Sequence, residues 1–200
     1  MIVLGIDPDT NNTGFSLIEE GDQGIVVLEC GVVDTRSTKG ILAVEKTIQG
    51  LFELLPQLAQ ADAVVAEYPQ NYNNGGRQRG GRSHKVDPNS LIMLAAISGA
   101  ALAAANVAPR GFRALVRPMV WKGQQTKGAN QRQTARIIGW KFENHSSCYT
   151  SALVDVTPPK EVKVHPWKGK SRKPWSEILD AAGIALYGLG KYRKEGHDDG

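Results

Sequence analysis

Four carboxylates in this chain stand where a folded protein seldom leaves one without a partner. Asp7 closes the apolar run Ile2 to Ile6 within Gly-Ile-Asp-Pro-Asp-Thr, and Glu67 closes the run that starts at Ala61 within Val-Val-Ala-Glu-Tyr. Glu177 and Asp180 lie three positions apart near the C-terminus, so a helix there puts both on one face. Burying a carboxylate against a sheet is expensive unless a cation pairs with it. If the first two runs are central neighbouring strands, Asp7 and Glu67 sit side by side at one sheet end. Acids from two strands and one helix could then hold two divalent ions, and Mg²⁺ or Mn²⁺ prefer such hard oxygen ligands. Two ions roughly 4 Å apart suit phosphodiester hydrolysis, one activating water and the other stabilising the leaving 3′ oxygen. Three of the four also have a plainer use, whereas Glu67 has little alternative at the end of an apolar strand. Asp7 could open an Asx turn, Glu177 could serve the helix dipole just after Pro174, and Asp180 could lie on the polar side of an amphipathic helix. The apolar face of that helix is expected to be Ile178, Ala182, Ala185, Leu186 and Leu189.

The elements that must position these acids follow from apolar spacing. Residues 1–7, 13–20 and 24–33 read as a three-strand antiparallel meander, with Asn11-Asn12 and Gly21-Asp22 as turns. Ile41, Val44, Ile48, Leu51 and Leu55 recur at helical spacing. The run 61–67 is a short apolar stretch suited to a parallel central strand. Residues 69–88 carry glycines, asparagines and scattered bases with little to bury, the pattern of a mobile loop. Residues 90–106 read as a helix buried nearly all round, 112–117 as a strand, 131–138 as a short helix and 175–189 as the last helix. Residues 141–174 have weak periodicity and form a basic insertion. The fold class is α/β: a mixed five-stranded sheet, the meander plus parallel strands, flanked by helices in one domain over 1–200. This order is the ribonuclease H-like arrangement; it also opens the sugar kinase and actin class, so topology leaves function open.

The chain has 200 residues and a net charge of +4, with 41% hydrophobic and 22% charged residues, which excludes wholesale disorder. The charge is uneven. Residues 1–67 hold 11 acids against 3 bases, residues 68–142 hold 12 bases against the single acid Asp87, and the remainder is nearly balanced. So basic a middle third implies a polyanion, usually nucleic acid. The longest apolar stretch, Leu91 to Ala105, is too short and Ala-rich to span a bilayer. No secretory signal is visible. Cys30 and Cys148 have no zinc spacing, so a reducing cytoplasm is the expected setting, without membrane association. His84, His145, His165 and His197 show no metal spacing either. Arg77, Arg79, Arg82 and Lys85 stand among glycines and could follow a curved phosphate backbone, while Tyr68 and Tyr72 could stack on unpaired bases.

Three blocks resemble RuvC-type Holliday junction resolvases: Gly-Ile-Asp-Pro-Asp-Thr-Asn-Asn-Thr-Gly-Phe (5–15), Val-Val-Ala-Glu (64–67) and Glu-Ile-Leu-Asp-Ala-Ala-Gly-Ile-Ala-Leu (177–186). The resemblance implies that Asp7, Glu67, Glu177 and Asp180 bind two Mg²⁺ or Mn²⁺ ions per active site, with no other small-molecule cofactor. Glu177 stands where the family usually has Asp. It further implies a homodimer that nicks two symmetric strands of a four-way DNA junction, leaving 5′-phosphate and 3′-hydroxyl ends. The stretch from Arg117 through Lys122 to Lys127 is similar to the family's basic loop before a short helix. At the second expected lysine the chain reads Asn130-Gln131-Arg132, which leaves Lys127 and Arg132 as alternatives beside Lys122 for assisting catalysis, with Arg117 as a DNA contact. The helix 90–106 is an expected dimer interface or a core helix, and residues 160–173 with Trp167 an extra DNA contact or a solvated insertion.

Other functions remain open on the sequence alone. Another ribonuclease H-like nuclease would cut RNA–DNA hybrid or structured RNA. A sugar-kinase-like phosphotransferase would need a second Gly-rich phosphate loop, which has no good context here. A non-catalytic nucleic-acid-binding module would be indifferent to loss of Asp7.

Overall fold

The apolar runs become the strands of one sheet. In the computed structural model, which describes residues 1–34, 40–69, 88–123, 125–143, 155–165 and 175–192, β1 (Ile2–Asp7), β2 (Asn12–Gly21) and β3 (Gly24–Asp34) form the antiparallel meander. Helix α1 (Ile41–Leu54), continued by a tight turn at Leu55–Gln57, leads into β4 (Ala61–Glu67), which pairs parallel to β1. Helix α2 (Pro88–Ala104) leads into β5 (Val107–Val116), parallel to β4. Four elements come next: α3 (Pro118–Trp121), α4 (Lys127–Ile137), and β6 (Lys141–Glu143) and β7 (Asp155–Thr157), which form an antiparallel pair. β8 (Lys163–Val164) then joins the main sheet parallel to β3, and α5 (Trp175–Gly188) closes the fold. The sheet order is β5-β4-β1-β2-β3-β8.

The mixed sheet is as expected, with a sixth strand added. β8 is only two residues long, too short for any alternation to show. Side chains hold it: Lys163 Nζ and His165 Nε2 each lie 2.8 Å from Glu29 Oε2 on β3. Burial pushes the Glu29 carboxyl up, but these two partners outweigh it and hold it below the ordinary range.

Alternation along the strands sorts the core into two layers. Leu4 and Ile6 of β1, Phe15 and Leu17 of β2, and Val64 and Ala66 of β4 pack against α1 and α2. Val3, Ala63 and Val65 face the other way, into the layer built with α5 and α4. Asp7 and Glu67 share the parity of Val3 and of Ala63 and Val65, so both carboxylates belong to the α5 side of the sheet.

Helix α5 comes closer to the sheet than a side chain allows. A Cβ built at Gly5 would lie 2.1 Å from the Ala181 carbonyl oxygen, and one at Gly14 would lie 2.3 Å from the Glu177 carbonyl oxygen. Ser16 Oγ donates to the Ile178 carbonyl at 3.0 Å, so the strand also anchors the helix by a buried hydrogen bond.

Two expectations are corrected. α5 has no exposed polar face opposite an apolar one: ten of its residues, Asp180 included, are buried. α3 and α4 pack over the side that amphipathic spacing assigns to solvent. Conversely, α2 is not buried all round. Ile92, Ala95, Ala96, Gly99 and Ala103 are exposed, at helical spacing, and only Ile97, Ser98, Ala101 and Ala104 are buried.

Because Gly5 meets backbone, which cannot swing aside, Gly5→Ala should destabilise the fold by about 2–3 kcal/mol or more. In thermal melting that is a fall of roughly 5–10 °C for a chain of this size. Gly21→Ala, with nothing within 4 Å of its Cβ, is the control and should melt within a degree or two of wild type.

Candidate active site

Asp7 and Glu67 end adjacent parallel strands whose register pairs Ile6 with Ala66, so the two acids emerge side by side at one sheet end. α5 crosses β1 and β2 at the glycines and brings Asp180 down onto this pair. The three acids sense one another. Burial first, then the charges of Asp180 and Glu67, drive the Asp7 carboxyl well above its ordinary range, against the opposing pull of Lys127 and Lys122. Burial also raises Glu67, and Asp180 adds to this, while Lys122 and Trp121 counteract. Glu177 stands one turn before Asp180, beside Gly14 of β2, and its charge is felt by Lys127.

Two lysines answer the acids from opposite sides. Lys122 Nζ is 3.3 Å from Glu67 Oε2, and Lys127 Nζ is 3.0 Å from Asp180 Oδ2. Burial works against the Lys127 ammonium, but Asp180, Asp7 and Glu177 together hold its pKa above the ordinary lysine value. Local structure explains why these lysines arrive. Pro118 starts α3 directly after β5, and the cap of α3 at Lys122 donates its N–H to the Pro118 carbonyl. Thr126 caps α4 by accepting from the Ala129 N–H, which sets Lys127 as its first residue. Of the two alternatives on α4, Lys127 is the cation paired with Asp180; Arg132 lies further along the helix, half-buried. Arg117 and Tyr68 are exposed at the same end of the sheet, where the Tyr68 N–H donates to the Val116 carbonyl at 2.7 Å. Tyr72, Arg77, Arg79, Arg82 and Lys85 lie outside the described residues, as do residues 166–174.

Two residues at the site carry no charge and escaped the sequence reading. Trp121 donates its indole N–H to Glu67 Oε2 at 2.8 Å. Gln131 donates from Nε2 to Asp180 Oδ1 at 3.1 Å and to Ser176 Oγ at 2.9 Å. Gln131 is in the group of residues that stands at the second expected lysine, and Lys127, one turn earlier on the same face, supplies the charge. Nothing about an isolated Trp or Gln marks it as a carboxylate partner; the only signal is that each sits within a turn of a basic residue.

The donor set suits a hard divalent ion, because every candidate ligand is a carboxylate oxygen and their mutual repulsion calls for positive charge. Among the described residues, however, no three acidic, histidine or cysteine side chains are drawn together tightly enough to hold an ion. Lysine, indole and amide donors take up Glu67 Oε2 and both Asp180 carboxylate oxygens. Chemically, the arrangement offers anionic ligands at its floor and two ammonium groups at its rim, which suits a metal-assisted attack on a phosphate.

Residues 3–72 match the family model described as crossover junction endodeoxyribonuclease RuvC. The chain is 31% identical over 86 residues to a protein of that name from Citrifermentans bemidjiense, covering 40% of this chain and 52% of the relative. It is 34% identical over 70 residues to one from Dictyoglomus turgidum, covering 34% of this chain and 42% of the relative. These matches thus span about half of the relatives' length or less. Among solved structures, the fold is similar to Thermus thermophilus RuvC in complex with a Holliday junction substrate, with a TM-score of 0.54 at 17% identity over 96% of this chain and 99% of that one. It is also similar to the yeast mitochondrial Holliday junction resolvase Ydc2, with a TM-score of 0.50 at 14% identity over 92% of this chain and 75% of that one. At that identity the structures speak for the fold, which is RuvC-like and ribonuclease H-like. The resemblance to RuvC-type Holliday junction resolvases is borne out by the family model, which spans the first two motif blocks, and by the curated relatives; the third block, 177–186, lies outside residues 3–72.

Proposed function

We propose that this chain is a metal-dependent endonuclease that resolves four-way DNA junctions by paired nicking, working as a homodimer. The observation that carries the reading is the convergence of Asp7, Glu67 and Asp180 at one sheet end, flanked by Lys122 and Lys127. The similar proteins add the substrate class, since their names refer to crossover junctions. The basic middle third of the chain adds the means of binding it.

In this reading Asp7, Glu67, Asp180 and Glu177 hold two Mg²⁺ or Mn²⁺ ions. Such ions, when bound, activate water as nucleophile and stabilise the leaving 3′ oxygen. The remaining work belongs to side chains. Lys122 and Lys127 neutralise the acids in the free protein. With a phosphodiester in the cleft, each stands within reach to turn its ammonium toward the non-bridging oxygens, where charge builds in the transition state. Arg117, Tyr68, Tyr72, Arg77, Arg79, Arg82, Lys85 and Arg132 position the DNA. Ile92, Ala96, Gly99 and Ala103 of α2, exposed on one line, are the face for a second copy of the chain. Small residues there allow close backbone approach.

Asp7→Asn or Glu67→Gln should abolish cutting of a labelled four-way junction while leaving junction binding within about twofold, as read by gel shift; such a loss exceeds the ~10²–10³-fold typical of removing one electrostatic contact. A chain that cuts RNA–DNA hybrid and ignores the junction would keep the chemistry but overturn the substrate.

Asp7 also sets a pH dependence of stability. The unfolded chain ionises it near its reference value of about 3.9, whereas the folded chain does so only at higher pH. Between the two values the unfolded state has released a proton that the folded state keeps, so metal-free stability falls as pH rises through that window. Asp7→Asn removes the penalty. In chelator at pH 8 it should melt a few degrees above wild type, since about 1 kcal/mol moves a domain of this size by ~2–4 °C, and the gap should close toward pH 4.

For the loop after β4, Arg79→Ala or Arg82→Ala should weaken junction binding and flatten the log K against log salt plot by about 0.9 for each phosphate that is no longer neutralised. An unchanged slope removes the loop from the interface.

A further inference from the structure

Resting on the metal-dependent reading above, we infer that Trp121 is a positioning residue: its indole N–H fixes the Glu67 carboxylate so that Oε1 stays directed to the metal cleft. Glu67 Oε2 receives two donors, the Trp121 indole at 2.8 Å and Lys122 Nζ at 3.3 Å. They differ in permanence. The Lys122 side chain is 26% exposed on a flexible stem and is free to follow a phosphate. Trp121 is 0% exposed, and its indole nitrogen is a donor only, with no acceptor role and no charge to lose. When the lysine leaves, the indole remains.

The ring is itself held on every side. Tyr192 meets it edge-on at 5.7 Å between centroids, and the Tyr192 hydroxyl is tied to Asn130 of α4. Lys122 Nζ lies over the ring, 4.9 Å from its centroid. On the α5 side the ring fills the space left by Gly183, where a Cβ would come within 2.7 Å of Trp121 Cζ3. Its backbone is equally constrained. Trp121 ends α3, which begins two residues after Val116, and Val116 is the register partner of Glu67. The donor and its acceptor are therefore referenced to the same pair of strands. A carboxylate on a strand end has freely rotating terminal torsions, and a rigid donor on one oxygen removes that freedom. Hydrogen-bond partners that orient a metal ligand are typically worth 10–100-fold in metal affinity or activity.

The test uses the full chain with Trp121→Phe, which keeps ring bulk and deletes the N–H, and with benzothienylalanine at 121, which keeps the indole shape with sulfur in place of N–H. Mn²⁺ binding is measured by titration calorimetry without DNA, alongside single-turnover cutting, junction affinity and melting temperature. Both variants should weaken Mn²⁺ binding about tenfold and slow cutting at saturating junction by at least as much. Junction affinity should stay within twofold and, for the isostere, melting within a few degrees. If Trp121→Phe fails to fold, the isostere decides. Wild-type Mn²⁺ affinity and cutting rate in the isostere overturn the inference and leave the nuclease reading intact. A wild-type chain that takes up no Mn²⁺ overturns both.

Discussion

Repulsion between carboxylates that cannot move apart governs this molecule. Asp7 and Glu67 are locked on adjacent strands, and Asp180 is carried onto them by a helix that is buried on all sides. Burial itself raises the Asp7 carboxyl most, and because burial also weakens solvent screening, the charges of Asp180 and Glu67 push it further the same way. A fold selected for stability alone would replace one of the three. Keeping them obliges the rest of the site to supply positive charge and donors, and Lys122, Lys127, Trp121 and Gln131 do so, each on one named oxygen.

The scaffold makes separation impossible by backbone, not side-chain, geometry. Gly5 and Gly14 let α5 rest directly on β1 and β2, with carbonyl oxygens of the helix where side chains would otherwise be. Gly5 pairs with Ser16 across the ladder, and Gly14 pairs with Asp7. The closest approach of helix to sheet is thus adjacent to the acid it must serve. The same contact explains why the helix carries small residues, Ala181, Ala182, Gly183 and Ala185, along the middle of its length. Small side chains lower the interaxial distance, and Asp180 reaches the sheet end only at that distance.

Much of this was legible before any coordinates, and the reason is physical. Asp7 and Glu67 end short apolar runs, and apolar runs of strand length with parallel connections go to the sheet centre. Pleat alternation then fixes their common face. Asp180 was legible only as a partner of these two, because i, i+3 spacing says that two acids share a side but not which neighbour covers it. Its burial comes from α3 and α4, elements of 4 and 11 residues with weak periodicity of their own. β8 was invisible for a similar reason: a two-residue strand held by Glu29 has no pattern, only a partner far away in sequence. The exposed line on α2 was missed because a helix of uniformly apolar composition shows no preferred face, so spacing cannot separate a core face from an exposed one.

The two lysines bear on how such a site avoids being too stable in its resting form. An ammonium fixed on a carboxylate competes with any ion for the same oxygen, and a buried pair with both groups fully enclosed would be hard to open. Here each lysine pairs from the solvent side: the Lys127 side chain is 54% exposed while its partner Asp180 is 6% exposed. An ammonium that still reaches solvent exchanges its partner more readily than one fully enclosed. The uncharged donors take the opposite position, since Trp121 and Gln131 are fully buried. On the proposed metal-dependent reading the division is consistent: the groups that would yield to phosphate and metal are charged and long, whereas those that would hold the acids in place are neutral and buried. A neutral donor can orient a carboxylate without cancelling the charge that gives it affinity for a cation, which a second buried lysine would do.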